Sequence, residues 1–257
     1  MPLLDVILIL LAGTAAGFLN TLAGGGSLIT MPILIFMGLP SATANGTNRI
    51  ALAVQNIVAV TNFRSKGFFD WRLGLMLAAP AILGSIVGAN LAVSLPDRIF
   101  NKILAVVMLL VLALILWQPL KKLSAITENL TNKRKVIAVI TFFFVGVYGG
   151  FIQAGVGFII IASLTTITGM SLVRINSIKV FVVLFYILSS LIIFVINGQV
   201  DWLLGFTLAA GNALGAWIGS NFAVAKGDKL VRIVLSIAVT LMAAKLLGLF
   251  ELLGLGL

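Results

Sequence analysis

Two short polar clusters interrupt long apolar runs, and each contains one basic residue. The first cluster holds Asn45, Asn48 and Arg49, and the second holds Asn176 and Lys179. Amide groups donate neutral hydrogen bonds, and a cation held at membrane depth favours a negatively charged ligand. We therefore predict that both clusters contact a small anion, with the two cations supplying the charge. The alternative is that both are interfacial side chains that extend toward lipid headgroups.

A glycine-rich stretch precedes each polar cluster, and the two stretches lie 131 residues apart. Their predicted substrate-binding residues are Gly24, Gly25, Gly26 and Ser27 in the first stretch and Gly155 and Gly157 in the second. Each helical glycine costs about 1 kcal/mol relative to alanine, so the helices should break here. Paired breaks in apolar segments are typical of transporter binding sites. The first stretch is also compatible with a simple tight turn between two helices.

One polar residue stands just before each break, Asn20 in the first half and Gln153 in the second. Each is buried in a long apolar stretch and needs a hydrogen-bonding partner. Both fit equally well as substrate contacts or as helix–helix hydrogen bonds. We include Gln153 in the predicted site.

The acidic residues lie away from these clusters. The chain has seven carboxylates, and none stands in the middle of an apolar run. A cation site would need negative groups there, and a proton relay would need a buried carboxylate. Histidine and cysteine are absent, and no nucleophile or phosphate-binding motif is present. We therefore predict an anion-selective site with no metal, no cofactor and no enzyme activity.

The composition is that of an integral membrane protein. The sequence is 61% hydrophobic and 9% charged, with a mean hydropathy of +1.22, whereas a soluble domain carries about 25% charged residues. The net charge of +10 comes from basic residues in short loops between apolar runs. This pattern indicates the positive-inside bias of a membrane protein rather than nucleic-acid binding. The expected surroundings are the lipid bilayer of the inner (plasma) membrane.

The apolar runs predict an all-α polytopic membrane protein. The predicted helical segments are 3–23, 27–37, 43–63, 73–94, 99–117, 136–152, 158–168, 176–196, 203–224 and 230–250. Because a crossing helix needs about 20 residues, the segments at 27–37 and 158–168 are too short to cross comfortably. We expect 8–10 transmembrane segments, some of them broken or re-entrant at the glycine-rich stretches.

The two halves of the chain repeat each other at an offset of 131 residues without a gap. The matching positions include Asp70-Trp71 with Asp201-Trp202, Gly84 and Gly88 with Gly215 and Gly219, and Asn45 with Asn176. A polar and glycine set in one register indicates duplication. We predict a first repeat over 1–120, a cytoplasmic linker over 121–135 and a second repeat over 136–257, each repeat with about five helical segments.

Loop charges predict that the repeats are inverted. The loop after the third segment carries Arg64, Lys66 and Arg72, whereas its counterpart at 197–201 carries no basic residue. Equivalent loops with opposite charge bias should lie on opposite sides of the membrane, which also places both termini outside the cytoplasm. This requires the first two segments of each repeat both to cross, or to enter together and return. If each short segment re-enters alone, the repeats are parallel.

Several of these features together resemble the sulfite exporter TauE/SafE family of membrane transporters. The resemblance covers essentially the whole chain and is carried by Gly17-Phe18-Leu19-Asn20 before the glycines, Pro32, Asp70-Trp71-Arg72-Leu73, the glycine pairs and Leu95-Pro96. The second half departs from the pattern, with Ser163 where the first half has Pro32 and Val156 between its glycines. The resemblance implies transport of sulfite, sulfonates or related small sulfur-containing organic anions.

The expected function is a carrier of a small anion, most simply sulfite or an organosulfonate, that works by alternating access. The alternatives are a passive anion channel or uniporter and, in a different class, a membrane scaffold without transport. The lack of a sizeable extramembrane domain counts against the scaffold. A homodimer, and coupling to a proton or to sodium, stay open at this level.

Overall fold

The computed structural model describes residues 3–22, 24–117 and 131–222, and the regular secondary structure in these ranges is helical. The helices are α1 (Leu3–Leu22), α2 (Ser27–Phe36), α3 (Ser41–Ser65), α4 (Trp71–Val93), α5 (Asp97–Trp117), α6 (Asn132–Phe151), α7 (Val156–Thr168), α8 (Leu172–Ile196) and α9 (Trp202–Phe222). The predicted tenth segment, 230–250, and residues 121–130 of the predicted linker lie outside the described residues.

Within these ranges, five helices are long and apolar enough to cross a membrane: α1, α4, α6, α8 and α9. α3 is equally long at 25 residues, but it carries the first polar cluster and is largely buried. α2 and α7 have 10 and 13 residues. At 1.5 Å per residue they are about 15 and 20 Å long, shorter than the hydrocarbon core of about 30 Å. The prediction of an all-α polytopic membrane protein is confirmed.

α3 and α8 form the centre of the molecule and run in opposite directions. Near the start of α3, the Thr43 hydroxyl donates to Oε1 of Gln199, which lies just after α8, at 2.6 Å. Toward the other end of α3, Phe63 packs with Val180 in the first part of α8. The 131-residue offset makes α3 and α8 equivalent helices. Equivalent core helices of the two halves are therefore antiparallel.

α1 packs along α9, and the two helices are parallel. Gly211 of α9 lies against the carbonyl of Leu10, and two turns later Gly219 lies against Phe18. A Cβ on either glycine would meet the backbone of α1. Small residues of this kind let helices approach closely in lipid.

α4 and α6 form a second close pair, in which a helix of the first half packs along the first helix of the second half. Gly84 lies against the carbonyl of Phe143, and Gly88 lies against the carbonyl of Val147. Each of the two close pairs thus joins a helix of one half to a helix of the other.

α1 and α2 form a hairpin beside α3. Asn20 at the end of α1 donates to Gln55 near the middle of α3, whereas Thr30 in α2 donates to Asn48, seven residues earlier. The chain therefore turns back toward the start of α3. Gly24 makes this turn with φ 86°, a conformation that glycine adopts without strain.

α6 and α7 form the corresponding hairpin beside α8. Gly149 near the end of α6 packs against the ring of Tyr186, in the middle of α8. α7 then runs back and ends at Thr168, shortly before α8 begins. Gln153 and Gly155 make the turn with φ of 53° and 73°.

The two hairpin tips touch each other. The backbones of Gly24 and Gly157 are in contact, and a Cβ on either glycine would collide with the other. The two predicted glycine breaks therefore meet near the middle of the helix bundle, between α3 and α8.

Candidate functional site

A small cavity lies where the hairpin tips meet. Five of the predicted site residues line it: Gly24, Ser27, Gln153, Gly157 and Lys179. Its other lining residues are Asn20, Leu52, Gln55, Asn56, Val156, Val183 and Tyr186. Five helices therefore contribute to its wall, and most of its polar groups are amides.

The side-chain amide of Asn20 stabilises the first glycine break. The Oδ1 of Asn20 accepts a hydrogen bond from the backbone N–H of Gly26 at 2.9 Å. Its Nδ2 donates to Oε1 of Gln55 at 3.2 Å, and the same oxygen accepts from Asn212 at 3.1 Å. Asn20 therefore makes a helix–helix hydrogen bond, one of the two interpretations open from the sequence.

Lys179 is 2% exposed and binds the end of α1. Its ammonium donates to the carbonyls of Asn20 and Thr21, both at 3.1 Å, and to Oδ1 of Asn176 at 2.8 Å. An ammonium has three protons, so these partners account for all of them. Lys179 contributes positive charge to the cavity wall while its protons are held by α1 and α8.

Arg49 is fully buried and binds the end of α6 in the same manner. It donates to the carbonyl of Gly150 at 2.5 Å, to that of Gly149 at 3.3 Å and to the Ser190 hydroxyl at 2.6 Å. Its guanidinium also lies 4.6 Å from the centroid of the Phe194 ring. It does not line the cavity, and it is an internal residue rather than one that extends to lipid headgroups.

Asn45 and Asn176 bind the ends of the same two helices, so that Arg49 with Asn45 caps α6 and Lys179 with Asn176 caps α1. Asn45 donates to the carbonyl of Phe151 at 2.7 Å, and Asn176 donates to the carbonyl of Leu22 at 3.3 Å. Each half therefore supplies one amide and one cation to the last carbonyls of the other half's broken first helix.

The remaining predicted residues lie beside the cavity without lining it. Asn48 accepts a hydrogen bond from the Thr30 hydroxyl at 2.7 Å. Gly155 packs against Val111 of α5, and Gly25 is buried inside the first break.

The electrostatics of the two breaks favour negative charge. At each break, the negative carbonyl end of one helix meets the positive N–H end of the next, and the carbonyl ends are covered by Lys179 and Arg49. The N-terminal ends of α2 and α7 are the parts that face the cavity, through Ser27, Val156 and Gly157. Free N–H groups at a helix start attract anions.

Acidic groups do not offset this charge within the described ranges. Asp70 and Asp201 cap α4 and α9 by accepting from the N–H groups of Leu73 and Leu204. Asp97 accepts from the N–H of Ser41 at the start of α3. The described chain also holds no cluster of acidic residues that could bind a metal ion.

Gln153 and Tyr186 have buried polar groups that lack a hydrogen-bonding partner among the described residues. They are 1% and 0% exposed, and both line the cavity. Within the described part of the chain, no protein group hydrogen-bonds to either amide atom of Gln153 or to the hydroxyl of Tyr186. Buried polar side-chain atoms are rarely left this way, so both side chains are candidates for ligand contact.

The site predicted from the sequence includes Gln153 but not Tyr186 or Gln55, which also line the cavity. The repeat contained the signal, because an offset of 131 places Tyr186 opposite Gln55. Both are polar residues in the middle of equivalent central helices, and both line the cavity.

A polytopic all-α fold with two broken hairpins around a buried polar cavity is typical of membrane transporters. Comparison with known proteins agrees, because the family described as sulfite exporter TauE/SafE matches residues 9–246. The chain belongs to this family of membrane transporters, and it is accordingly a transporter rather than an enzyme.

Its relatives are similar along nearly their whole length. A probable membrane transporter protein of Haemophilus influenzae is 30% identical over 244 residues, which cover 95% of each chain. The probable membrane transporter protein YfcA of Escherichia coli K12 is 29% identical over 96% of this chain and 90% of its own. The probable membrane transporter protein YdhB of Bacillus subtilis is 24% identical over 86% of this chain and 89% of its own. No solved structure shows significant similarity.

Proposed function

We propose that the protein carries a small anion, by preference sulfite or an organosulfonate, across the inner membrane by alternating access. The observation that carries this proposal is the pair of buried cations at the two breaks, with no carboxylate beside them in the described residues. A buried charge without a counter-charge is unfavourable, and a bound anion would relieve it. The choice of sulfur-containing anions rests on the family.

The anion binds in the cavity between the hairpin tips. Lys179 and Arg49 supply positive charge, and Gln153 and Ser27 line the cavity as neutral donors. Asn45 and Asn176 hold the ends of α6 and α1, and Asn48 holds α2 through Thr30. The glycines allow close approach of the backbone N–H groups. Support comes from the position of the cavity and from the caps, which neutralise the carbonyl ends of α1 and α6 while the positive starts of α2 and α7 line the cavity.

Alternating access follows from two inverted halves. The antiparallel direction of α3 and α8 supports inversion, and the hairpins α1–α2 and α6–α7 then enter from opposite membrane surfaces. Movement of either hairpin tip relative to the central helices would open the cavity to one side. This arrangement corresponds to the case in which the first two segments enter together and return, and it keeps both termini outside the cytoplasm.

The test is transport of radiolabelled sulfite by purified protein in proteoliposomes. A carrier gives saturable uptake and accelerated exchange when unlabelled sulfite is loaded inside, whereas a passive channel gives neither. The absence of flux for sulfite, sulfoacetate and small carboxylates alike would overturn the proposed function.

Substitution of Lys179 tests the role of the buried charge. Lys179→Gln should lower the rate of sulfite uptake about tenfold or more, because the positive charge at the cavity wall is lost. Lys179→Arg keeps the charge and should retain more uptake than Lys179→Gln. Lys102→Gln, which removes an exposed charge at the start of α5, is the matched control and should transport within twofold of wild type. Equal uptake by Lys179→Gln and wild type would remove this residue from the mechanism.

A further inference from the structure

The proposed function leaves one question about the cavity, namely which groups contact the anion directly. Lys179 already donates to three protein oxygens, and Arg49 lies behind the cavity wall. Direct contacts must therefore come from neutral donors that the protein has left unpaired. Three cavity residues are relevant: Gln153, Tyr186 and Gln55.

Gln153 is held in place by an uncommon backbone conformation. Its φ of 53° is the one positive value at a non-glycine residue in the described chain. Such a conformation is unfavourable for a side chain longer than asparagine, and it persists where the surrounding structure enforces it. The equivalent position in the first half is Leu22, inside α1. The second break therefore differs from the first in presenting a buried amide with two unbonded polar atoms.

Tyr186 presents a hydroxyl from the opposite helix. Its ring packs against Gly149, next to the carbonyls that Arg49 binds, while its hydroxyl has no protein partner in the described ranges. Gln55, at the equivalent position on α3, uses its Oε1 for Asn20 and Asn212. This leaves the amide nitrogen of Gln55 as its remaining donor toward the cavity.

We infer that Gln153 and Tyr186 are the specificity-determining residues of the transporter: their amide N–H and hydroxyl donate to two oxygens of one substrate oxyanion, while Lys179 supplies charge without direct contact. This inference rests on the proposed function. The ligand class is a small oxyanion whose oxygens sit on one central atom, as in sulfite, a sulfonate or a carboxylate. A site built from fixed neutral donors rejects a ligand that lacks the matching acceptors, because its buried polar groups then stay unpaired.

Three variants of Tyr186 and Gln153 test the inference through their affinity for the anion. Tyr186→Phe removes only the hydroxyl, and Gln153→Met removes both amide atoms while keeping the length of the side chain. Each should weaken binding of sulfite, sulfoacetate or acetate, whichever the wild type binds, by about tenfold in isothermal titration. Gln153→Glu places a negative charge on the site and should abolish binding. Gln199→Met removes an amide that lies outside the cavity, and its affinity should equal that of wild type.

The stability of the ligand-free variants separates ligand contact from a structural role. Tyr186→Phe deletes an unpaired buried hydroxyl, so the Tm without ligand should stay equal or rise. Tyr148→Phe should lower the Tm, because the Tyr148 hydroxyl donates to the carbonyl of Ala154 at 2.5 Å in the second break. Only the Tyr148 variant is therefore expected to lose ligand-free stability.

The outcomes are distinct. Weakened binding together with an unchanged or higher ligand-free Tm supports the inference. Wild-type affinity in Tyr186→Phe and Gln153→Met, or a fall in Tm matching that of Tyr148→Phe, overturns the inference and leaves anion transport standing. Wild-type protein that binds none of the three anions overturns the proposed function itself.

Discussion

Arg49 and Lys179 show how one kind of residue can act on both structure and function. Each reaches across to the other half and covers the last carbonyls of a helix that ends inside the bundle. A cation at a helix C-terminus contributes about 0.3–1 kcal/mol at the surface and up to 2 kcal/mol when partly buried. Each cation thus stabilises a break and at the same time leaves the neighbouring cavity positive.

Replacement of Arg49 should destabilise the protein more than replacement of any exposed arginine. Arg49→Met leaves the carbonyls of Gly149 and Gly150 without their donor and should lower stability by about 1–3 kcal/mol. Arg49→Lys keeps the charge but loses the planar fork, so its loss should be intermediate. The measurement is thermal unfolding in detergent, with Arg98→Gln at the exposed start of α5 as the control. Equal Tm values for Arg49→Met and the control would contradict this role.

The sequence supplied the residue types around the cavity but not their partners. The prediction of an anion site rests on the scarcity of carboxylates and on the amides near Arg49 and Lys179. The carbonyls that these cations bind, however, lie between 100 and 159 residues away in sequence. Nothing local in the sequence encodes such a contact, because it depends on how the two halves pack. The unpaired state of Tyr186 is hidden for the same reason.

At the scale of helices, the glycine pairs act as contact surfaces between the halves. Gly84 lies against α6 and its equivalent Gly215 lies against the carbonyl of Thr14 in α1. Close backbone contact of this kind provides much of the packing energy between helices in lipid, where the hydrophobic effect is absent.

Equivalent glycines should respond equally to substitution. Gly84→Ala and Gly215→Ala each place a Cβ against a carbonyl of the partner helix and should lower stability by about 1–3 kcal/mol. Ala210→Leu adds a larger side chain on an exposed position of α9 and should leave the Tm nearly unchanged. Thermal unfolding of the three variants in the same detergent provides the measurement. A large loss for one glycine and none for the other would argue against equivalent packing of the two pairs.

Helix boundaries followed from local chemistry and were close to prediction. Asp70 and Asp201 directly precede α4 and α9, and both accept hydrogen bonds from the first turn of the next helix. α6 begins at Asn132, four residues before the predicted 136, because Thr131 caps it and the basic residues after it are helical. Charge alone had suggested that these residues belong to the linker. The reversal of direction at the breaks was left open, since glycine content does not specify the direction of the chain that follows.

For the whole molecule, the proposed inversion makes a prediction about sidedness. The chain has no cysteine, so single cysteines report without background. Ser65, the last residue of α3, and Asn197, which directly follows α8, are exposed at equivalent helix ends, and each is replaced by cysteine in turn. An impermeant maleimide should label Asn197→Cys in intact cells and Ser65→Cys only after the membrane is opened, because the positive-inside bias predicts that the basic loop after α3 faces the cytoplasm. Labelling of both residues from the same side would establish parallel repeats instead.

The exchange of caps between the halves has a consequence for biosynthesis. The last carbonyls of α1 accept hydrogen bonds from Lys179, which is synthesised 158 residues after Thr21. At a synthesis rate of about 5–20 residues per second, that interval is about 8–30 s. During it, the nascent first hairpin has polar backbone groups with no permanent partner at membrane depth. Because lipid tails offer no hydrogen bonds, we expect the insertion machinery to shelter this hairpin until α8 has been made.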